Sequence, residues 1–444
     1  MDPAVTGLIL MLVVLVLYAT ELIPLAITAI IGGPLLIWFQ ACTWSQCNGG
    51  YNSDSTWMVF AMCMIGACVF ECGLADTIGG VLQNICDTER KVVLILFPVV
   101  MLMSAFLNNS ATTATFKPIM ESVSKASDGK ISARKLLMPL AFAASSGGML
   151  TLAGSTPQVI VNGLLAETEG LEPFGFFEFA LVGGPVCLVL LVGVLTFLGG
   201  LAGKFFEKEI EIEKQISREF CEKHAAGGKK QVKMDLKQKK CAFCMIFAIV
   251  GFVAQSYVKD YLSFSLSTVA ITAAMLTVIL GCWTLKQLYL ESDWNTFFVL
   301  AGSISFAGGL DKCGTGKLIA DWAVAQLGNA SVFIIYAVFV LLAIIMTQIM
   351  SNTAATAMMS PIAIYVAGGM GFSPIPILMG LAIGCSAAFM TPVGTPPNTI
   401  VLSGGYVPDT PYSFMDYVKL GTIFQIIATI LVIGLCPIFY PLAL

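Results

Sequence analysis

Apolar stretches of about 20 residues recur along this 444-residue chain with little charge between them. They fall at about residues 4–20, 22–41, 57–75, 91–124, 134–168, 176–205, 241–258, 264–283, 294–313, 331–369, 375–405 and 413–441. A bilayer core takes about 20 apolar residues to cross as a helix. Lipid offers backbone amides no partner, so open-ended spanning segments must be helical. The chain is therefore expected to be an all-α polytopic membrane protein. Composition agrees: only 11% of residues are charged, against roughly 25% in soluble domains, which excludes a soluble globular fold. Met1-Asp2-Pro3 runs straight into apolar sequence without the basic segment or cleavage site of a signal peptide, and reads as the first crossing.

Two windows, 91–124 and 331–369, are too long for one crossing, and short polar clusters interrupt them midway: Asn108-Asn109-Ser110 and Ser351-Asn352-Thr353. Both read as re-entrant hairpins. Windows 134–168 and 375–405 contain the breaks Gly154-Ser155-Thr156-Pro157-Gln158 and Gly394-Thr395-Pro396-Pro397-Asn398. Proline removes a backbone donor and glycine loosens a helix, so each window should be two half-helices joined by an unwound loop.

These features recur at a nearly constant offset. Trp57 matches Trp294, Asn109-Ser110-Ala111 matches Asn352-Thr353-Ala354, Pro118-Ile119 matches Pro361-Ile362, Gly154 matches Gly394, Pro157 matches Pro397, and Glu178 matches Asp416. The separations are 237, 243, 243, 240, 240 and 238 residues, the mark of an internal duplication. Residues 1–205 and 241–444 are the expected repeats, with 206–240 as linker. Five crossings and one hairpin per repeat, an odd number of crossings, turn the second copy upside down. Inverted repeats with interrupted helices at matching positions point to a secondary transporter whose site lies at the repeat interface.

The stretch 204–240 holds 11 of the 23 Lys and Arg residues, which places it in the cytoplasm and the N-terminus outside. It also carries Glu207, Glu209, Glu211 and Glu213 and reads as a solvated surface helix. The chain's one histidine, His224, lies there. Histidine-based zinc sites, Ser-His-Asp triads and imidazole relays thus lack material, and an enzyme is not expected. The 14 cysteines lie mostly in apolar runs and read as packing residues, Cys241 and Cys244 included. Cys42 and Cys47 share a polar loop and could pair if it is extracellular.

Asn, Ser and Thr at membrane depth are unfavourable unless they line a cavity or bind something. Capping of hairpin ends explains one or two such residues per tip, whereas each tip has three. No Arg or His lies near either tip or break, so an anion would be met by positive helix N-termini. The side-chain donors Asn109, Ser110, Ser155, Thr156, Asn352, Thr353 and Thr395 complete a shell suited to a small dianion, with one end held by each repeat. Its residual negative charge favours a co-bound cation. Carbonyls freed at the unwound loops, with oxygens from Ser104, Asn108, Asn109, Thr347 and Asn352, form a hard-cation shell for Na⁺.

The run from Ser351 to Met359, followed by Gly394-Thr395-Pro396-Pro397-Asn398, resembles the signature of the divalent anion:sodium symporter family of dicarboxylate, citrate and sulfate carriers. Thr20-Glu21-Leu22-Ile23-Pro24-Leu25 resembles that family's N-terminal segment. The likeness implies a homodimer in the cell membrane in which a mobile part rides past a scaffold as an elevator. It implies a first sodium site of Ser104, Asn108, Asn109 and Gly154, and a second of Thr347, the Met350 carbonyl, Asn352 and Gly394. It adds Pro396 to the substrate contacts. The first tip departs from the family's Ser-Asn-Thr, since Asn108 stands where the smaller Ser is usual. The expected partners are a small di- or tricarboxylate anion, sodium ions, the bilayer and a second copy of the chain, with no nucleic acid.

The expected function is sodium-coupled transport of C4 dicarboxylates (succinate, malate, fumarate) or citrate. A sodium-independent dicarboxylate exchanger and a sulfate carrier are the alternatives. Lys117, seven residues beyond Ser110, bears on that choice, because an ammonium could replace a bound cation. A lysine that snorkels to the cytoplasmic mouth is the plainer reading. Glu21 reads as an interfacial residue satisfied by the helix start at Pro24.

Overall fold

A computed structural model gives the architecture and describes residues 2–83, 85–223, 234–258, 265–327, 330–407 and 410–443. His224 and linker residues 224–233 lie outside the described residues. Every regular element among those described is helical.

Four helices are singly long and apolar enough to cross a membrane: Pro3–Thr20, Asp54–Glu71, Asn352–Met370 and Phe414–Phe439. Two bent pairs raise the number to six. The remaining apolar windows are split into shorter pieces where the sequence places polar clusters and Gly/Pro runs. The long windows become Phe97–Ser104 with Asn109–Lys125, and Val332–Met346 with Asn352–Met370. The broken windows become Ala133–Gly147 with Thr156–Glu167, and Ile375–Ser386 with Pro396–Val401.

Two helices fall where the sequence reading left connections. Leu74–Gln83 and Thr315–Leu327 stand at matching positions, and the second meets Val332–Met346 at 118°. Lys317 and Asp321 break its apolar run, so hydropathy alone passed it over.

Matched contacts tie each break to its own hairpin tip. Thr151 donates its hydroxyl to the Ala105 carbonyl, and Thr391 donates to the Gln348 carbonyl at 2.7 Å. Glycine permits a further matched approach. Helix Ala180–Gly193 lays Gly183 against the Met149 carbonyl, and helix Phe414–Phe439 lays Gly421 against the Phe389 carbonyl. A Cβ at either position would overlap that oxygen.

Away from the breaks, helices Asp54–Glu71 and Trp294–Lys312 meet through four rings. Trp57 packs on Phe297 with centroids 5.2 Å apart, Phe60 on Trp294 at 4.7 Å, and Phe60 on Phe297 at 4.8 Å. Such tilted and edge contacts add about 0.5–1.5 kcal/mol each beyond burial.

The linker helix Glu207–Lys223 lies at the surface, as its charges suggest, but turns Ile210, Glu213 and Ser217 inward. Glu213 is 1% exposed. Its carboxylate accepts the Ala133 N–H at 3.0 Å, the Arg134 N–H at 3.3 Å, and the Ser132 hydroxyl. It thereby serves the N-terminus of Ala133–Gly147, where unpaired amides and the helix dipole favour an anion. Burial pushes the Glu213 carboxyl above the ordinary carboxylate range, and those hydrogen bonds draw it partly back. Arg134 beside it is also buried, donating to the Thr410 carbonyl at 2.5 Å under the ring of Tyr412. Cys42 and Cys47 form a disulfide.

Candidate functional site

The two hairpin tips and the two breaks meet around one cavity of about 250 Å³. All eight residues expected to contact substrate line it: Asn109, Ser110, Ser155, Thr156, Asn352, Thr353, Thr395 and Pro396. No charged side chain stands among the lining residues. Of the expected cation ligands, Asn108, Asn109, Gly154 and Asn352 also face the cavity, whereas Ser104, Thr347, Met350 and Gly394 are set behind the wall.

The two tips are built alike. Asn108 and Ser351 are N-caps with extended backbone, at φ/ψ of −60°/129° and −63°/147°. Asn108 Oδ1 accepts the Ser110 N–H at 2.8 Å and Ser351 Oγ accepts the Ala354 N–H at 3.2 Å. Each tip thus spends its first polar residue on capping and turns the next two toward the cavity. Asn108, expected as a cation ligand, is occupied in this way by its own helix.

Behind each tip a hydroxyl holds the asparagine. Ser104 donates to Asn109 Oδ1 at 2.6 Å. The matching Thr347 lies 2.7 Å from the Asn352 side-chain amide and donates to the Cys385 carbonyl at 2.7 Å. The same end of the Asn352 amide is 3.0 Å from the Cys385 carbonyl and 2.9 Å from that of Gly394. It therefore meets three acceptors at once. With its nitrogen turned there, the two N–H groups of Asn352 are shared among the three; with its oxygen turned there, four oxygens face one another and a cation would satisfy them.

The set behind the first tip closes differently. Asn109 packs over Gly148, whose Cβ, if present, would stand 2.5 Å from Asn109 Oδ1, and Gly154 packs over the Gly148 carbonyl. Gly148 was not singled out from sequence. It lies outside the Gly-Ser-Thr-Pro motif, and only the returning chain brings it under the tip.

The breaks hold the half-helices at matching geometry, with Ser155 at −150°/146° and Thr395 at −149°/142°. Neither side chain caps its own helix. The two half-helix N-termini expected to meet an anion differ in the donors they carry. Pro396 and Pro397 occupy the first two positions of Pro396–Val401 and remove two donors, and the Asn398 N–H is taken by the Thr395 carbonyl at 3.1 Å.

Hydroxyls join the two halves across the cavity. Thr156 and Thr353 are 2.7 Å apart, and Ser155 is 3.1 Å from Ser386, which also donates to Gln158 Oε1 at 3.3 Å. Ser386 and Gln158 are fully buried and sit beside the lining; Gln158 closes the first break motif but is not among the expected substrate contacts.

Two charged residues from the sequence reading lie outside this lining. Lys117 donates to the Ile400 carbonyl at 3.1 Å and to Ser403 Oγ at 2.5 Å, at the C-terminal end of Pro396–Val401, where a cation complements the helix dipole. Glu21, in a left-handed turn at φ 48°, accepts the Ser351 N–H at 3.3 Å and so touches the second tip.

Comparison with known proteins gives this geometry a family. The citrate transporter family, CitMHS, matches residues 15–373 and 263–442. The chain belongs to that family. A Haemophilus influenzae transporter is 25% identical to this CitMHS member over 96% of the chain and 90% of the relative. The sodium-dependent high-affinity dicarboxylate transporter 3 of Caenorhabditis elegans is 24% identical over 91% of the chain and 78% of that protein. The sodium-dependent dicarboxylate transporter SdcS of Staphylococcus saprophyticus is 23% identical over 91% and 81%. Among solved structures, the YdaH transporter of Alcanivorax borkumensis superposes over the whole of both chains with a TM-score of 0.51 at 12% identity, a likeness of fold. This CitMHS chain is thus a multi-pass membrane transporter of the citrate and dicarboxylate class, and its relatives are transporters rather than enzymes.

Proposed function

We propose that this chain couples sodium entry to the uptake of C4 dicarboxylates or citrate. The carrying observation is the convergence of Thr347 Oγ1 and the carbonyls of Cys385 and Gly394 on one end of the Asn352 amide. Hard cations take oxygen ligands of this kind. A cation there would sit beside an uncharged cavity lined by hydroxyls and amides, and it would supply the charge that the wall lacks. The sodium-dependent relatives named above support the same coupling.

In this reading Asn109 with Ser110, and Asn352 with Thr353, each hold one carboxylate, and sodium binds behind each asparagine. Residues 1–205 and 241–444 act as inverted repeats joined by a cytoplasmic linker at 206–240, with the N-terminus outside. Their hairpins and broken helices move together past a scaffold in a homodimer. Lys117 stands at the far end of the half-helix rather than in the cavity, which favours sodium coupling over exchange driven by a built-in ammonium.

Radiolabelled succinate uptake into proteoliposomes, with and without an inward sodium gradient, tests the proposal. Uptake should require sodium, and Asn352→Ala should abolish it. Uptake that is equal without sodium would replace symport with exchange, and no succinate or citrate uptake under either condition would remove the dicarboxylate assignment.

A further inference from the structure

Three thiols from two helices meet in the protein interior, away from the transport cavity. Cys68 lies in the last turn of Asp54–Glu71, Cys72 caps that helix, and Cys241 lies near the start of Leu236–Val258. All three are buried, and their sulphur atoms lie within 4.8 Å of one another. The Cys68 and Cys241 sulphurs are 3.7 Å apart. Four thiolates around a tetrahedral zinc at about 2.3 Å stand about 3.8 Å from one another, so this spacing is that of ligands sharing one ion.

A fourth thiol is at hand. Cys282, just past helix Leu266–Ile279, is fully buried beside the start of Leu236–Val258, its thiol 3.9 Å from the Lys237 carbonyl, and lies outside the tight group of three. Lys237, Lys239 and Lys240 precede Cys241 on the same helix, and the Lys240 ammonium reaches Leu280, two residues from Cys282, so positive charge lies near the thiols. The backbone there is already fastened: Gln238 donates to the Cys72 and Gly73 carbonyls at 3.2 and 3.1 Å, and Lys240 donates to the Leu280 carbonyl at 2.9 Å.

We propose that Cys68, Cys72 and Cys241, with Cys282 as fourth ligand, bind one zinc ion that staples the ends of three helices. Each thiol releases its proton to solvent as it becomes a ligand. Sulphur donors in a closed, buried set select a soft ion over sodium or magnesium, which separates this site from the oxygen-lined cavity. The ion holds Asp54–Glu71, Leu236–Val258 and the segment after Leu266–Ile279 in fixed relation, and it takes no part in moving substrate.

The test uses the full chain, purified in detergent without a polyhistidine tag. Elemental analysis after incubation with zinc and gel filtration should find about one zinc per chain. Cys68→Ser with Cys241→Ser should lower it to background, while Cys187→Ser, outside the cluster, should keep it. Because the double variant could fail to fold, wild-type protein stripped with chelator is also titrated with Co²⁺. A thiolate-to-cobalt charge-transfer band that saturates at one equivalent supports the site independently. Background zinc in wild type, absence of that band, or a Cys68–Cys241 disulfide found by mass spectrometry in freshly purified protein would each overturn the proposal.

Discussion

The hydroxyls of Thr156 and Thr353 lie 2.7 Å apart, one on a half-helix of the first half of the chain and one on the hairpin tip of the second. The corresponding pair on the other side is Pro396 and Ser110, both on the cavity wall. Proline has no hydroxyl to offer, so the Ser110 side chain has no hydrogen-bond partner among the described residues. The cavity is thus bridged on one side and open on the other.

That bridge is testable by removal. Thr156→Val should weaken apparent substrate affinity by roughly fivefold, the worth of a hydrogen bond of about 1 kcal/mol. Thr353→Val should do more, because it also removes a group that faces the ligand. Uptake kinetics on both single variants and the double variant measure the coupling, and strictly additive effects would mean that the two hydroxyls act separately.

Gly148→Ala probes the placement of Asn109. The new methyl would stand 2.5 Å from Asn109 Oδ1, the far end of a flexible side chain, so the fold should survive while the amide shifts. Succinate uptake should fall by at least about tenfold, equivalent to ~1.4 kcal/mol, with elution on gel filtration unchanged. Uptake at wild-type level would mean that Asn109 has no role in binding.

Glu213 predicts a pH dependence of stability. Burial raises its carboxyl above the ordinary range. Its linked contribution is complete below the unfolded-state value and is lost as pH rises through the raised folded-state value. Thermal unfolding followed across that window should show wild type losing stability with rising pH and Glu213→Gln responding less. Parallel curves would assign the dependence to other groups.

Lys117→Ala separates structure from coupling. The ammonium binds the Ile400 carbonyl and Ser403 at a helix C-terminus. Its loss should lower thermal stability modestly, by about 1 kcal/mol, and leave the sodium requirement of uptake intact. A variant that acquires sodium dependence which wild type lacks would make the lysine a cation substitute.

The helix breaks and eight of the nineteen residues that line the cavity were legible in the sequence. Polar residues at membrane depth must be satisfied by something, and here twin clusters at a constant offset announced a shared centre. Gly148 and Ser386 were not legible, because neither belongs to a local pattern and each reaches the site only through packing. Glu213 read as one acid among many on a charged helix; its burial depends on where Ala133–Gly147 begins in space. Leu74–Gln83 and Thr315–Leu327 escaped because hydropathy detects depth in lipid and these helices mix apolar and charged positions. The cysteines show the same limit: Cys68, Cys72 and Cys241 each read as a small packing residue, and their meeting is a tertiary fact.

The paired prolines at the head of Pro396–Val401 carry a consequence for stereochemistry. For the dianions proposed above, the first half-helix still offers the Thr156 amide, whereas the second has lost two donors and relies on the Thr395 hydroxyl. A carrier with unlike ends reads the direction of its cargo. Succinate, whose ends are equivalent, fits either way round, but malate bears a hydroxyl beside one carboxylate only. The two mirror forms of malate should therefore compete unequally with succinate, and the size of that difference would measure how unlike the two ends of the cavity are to a bound anion.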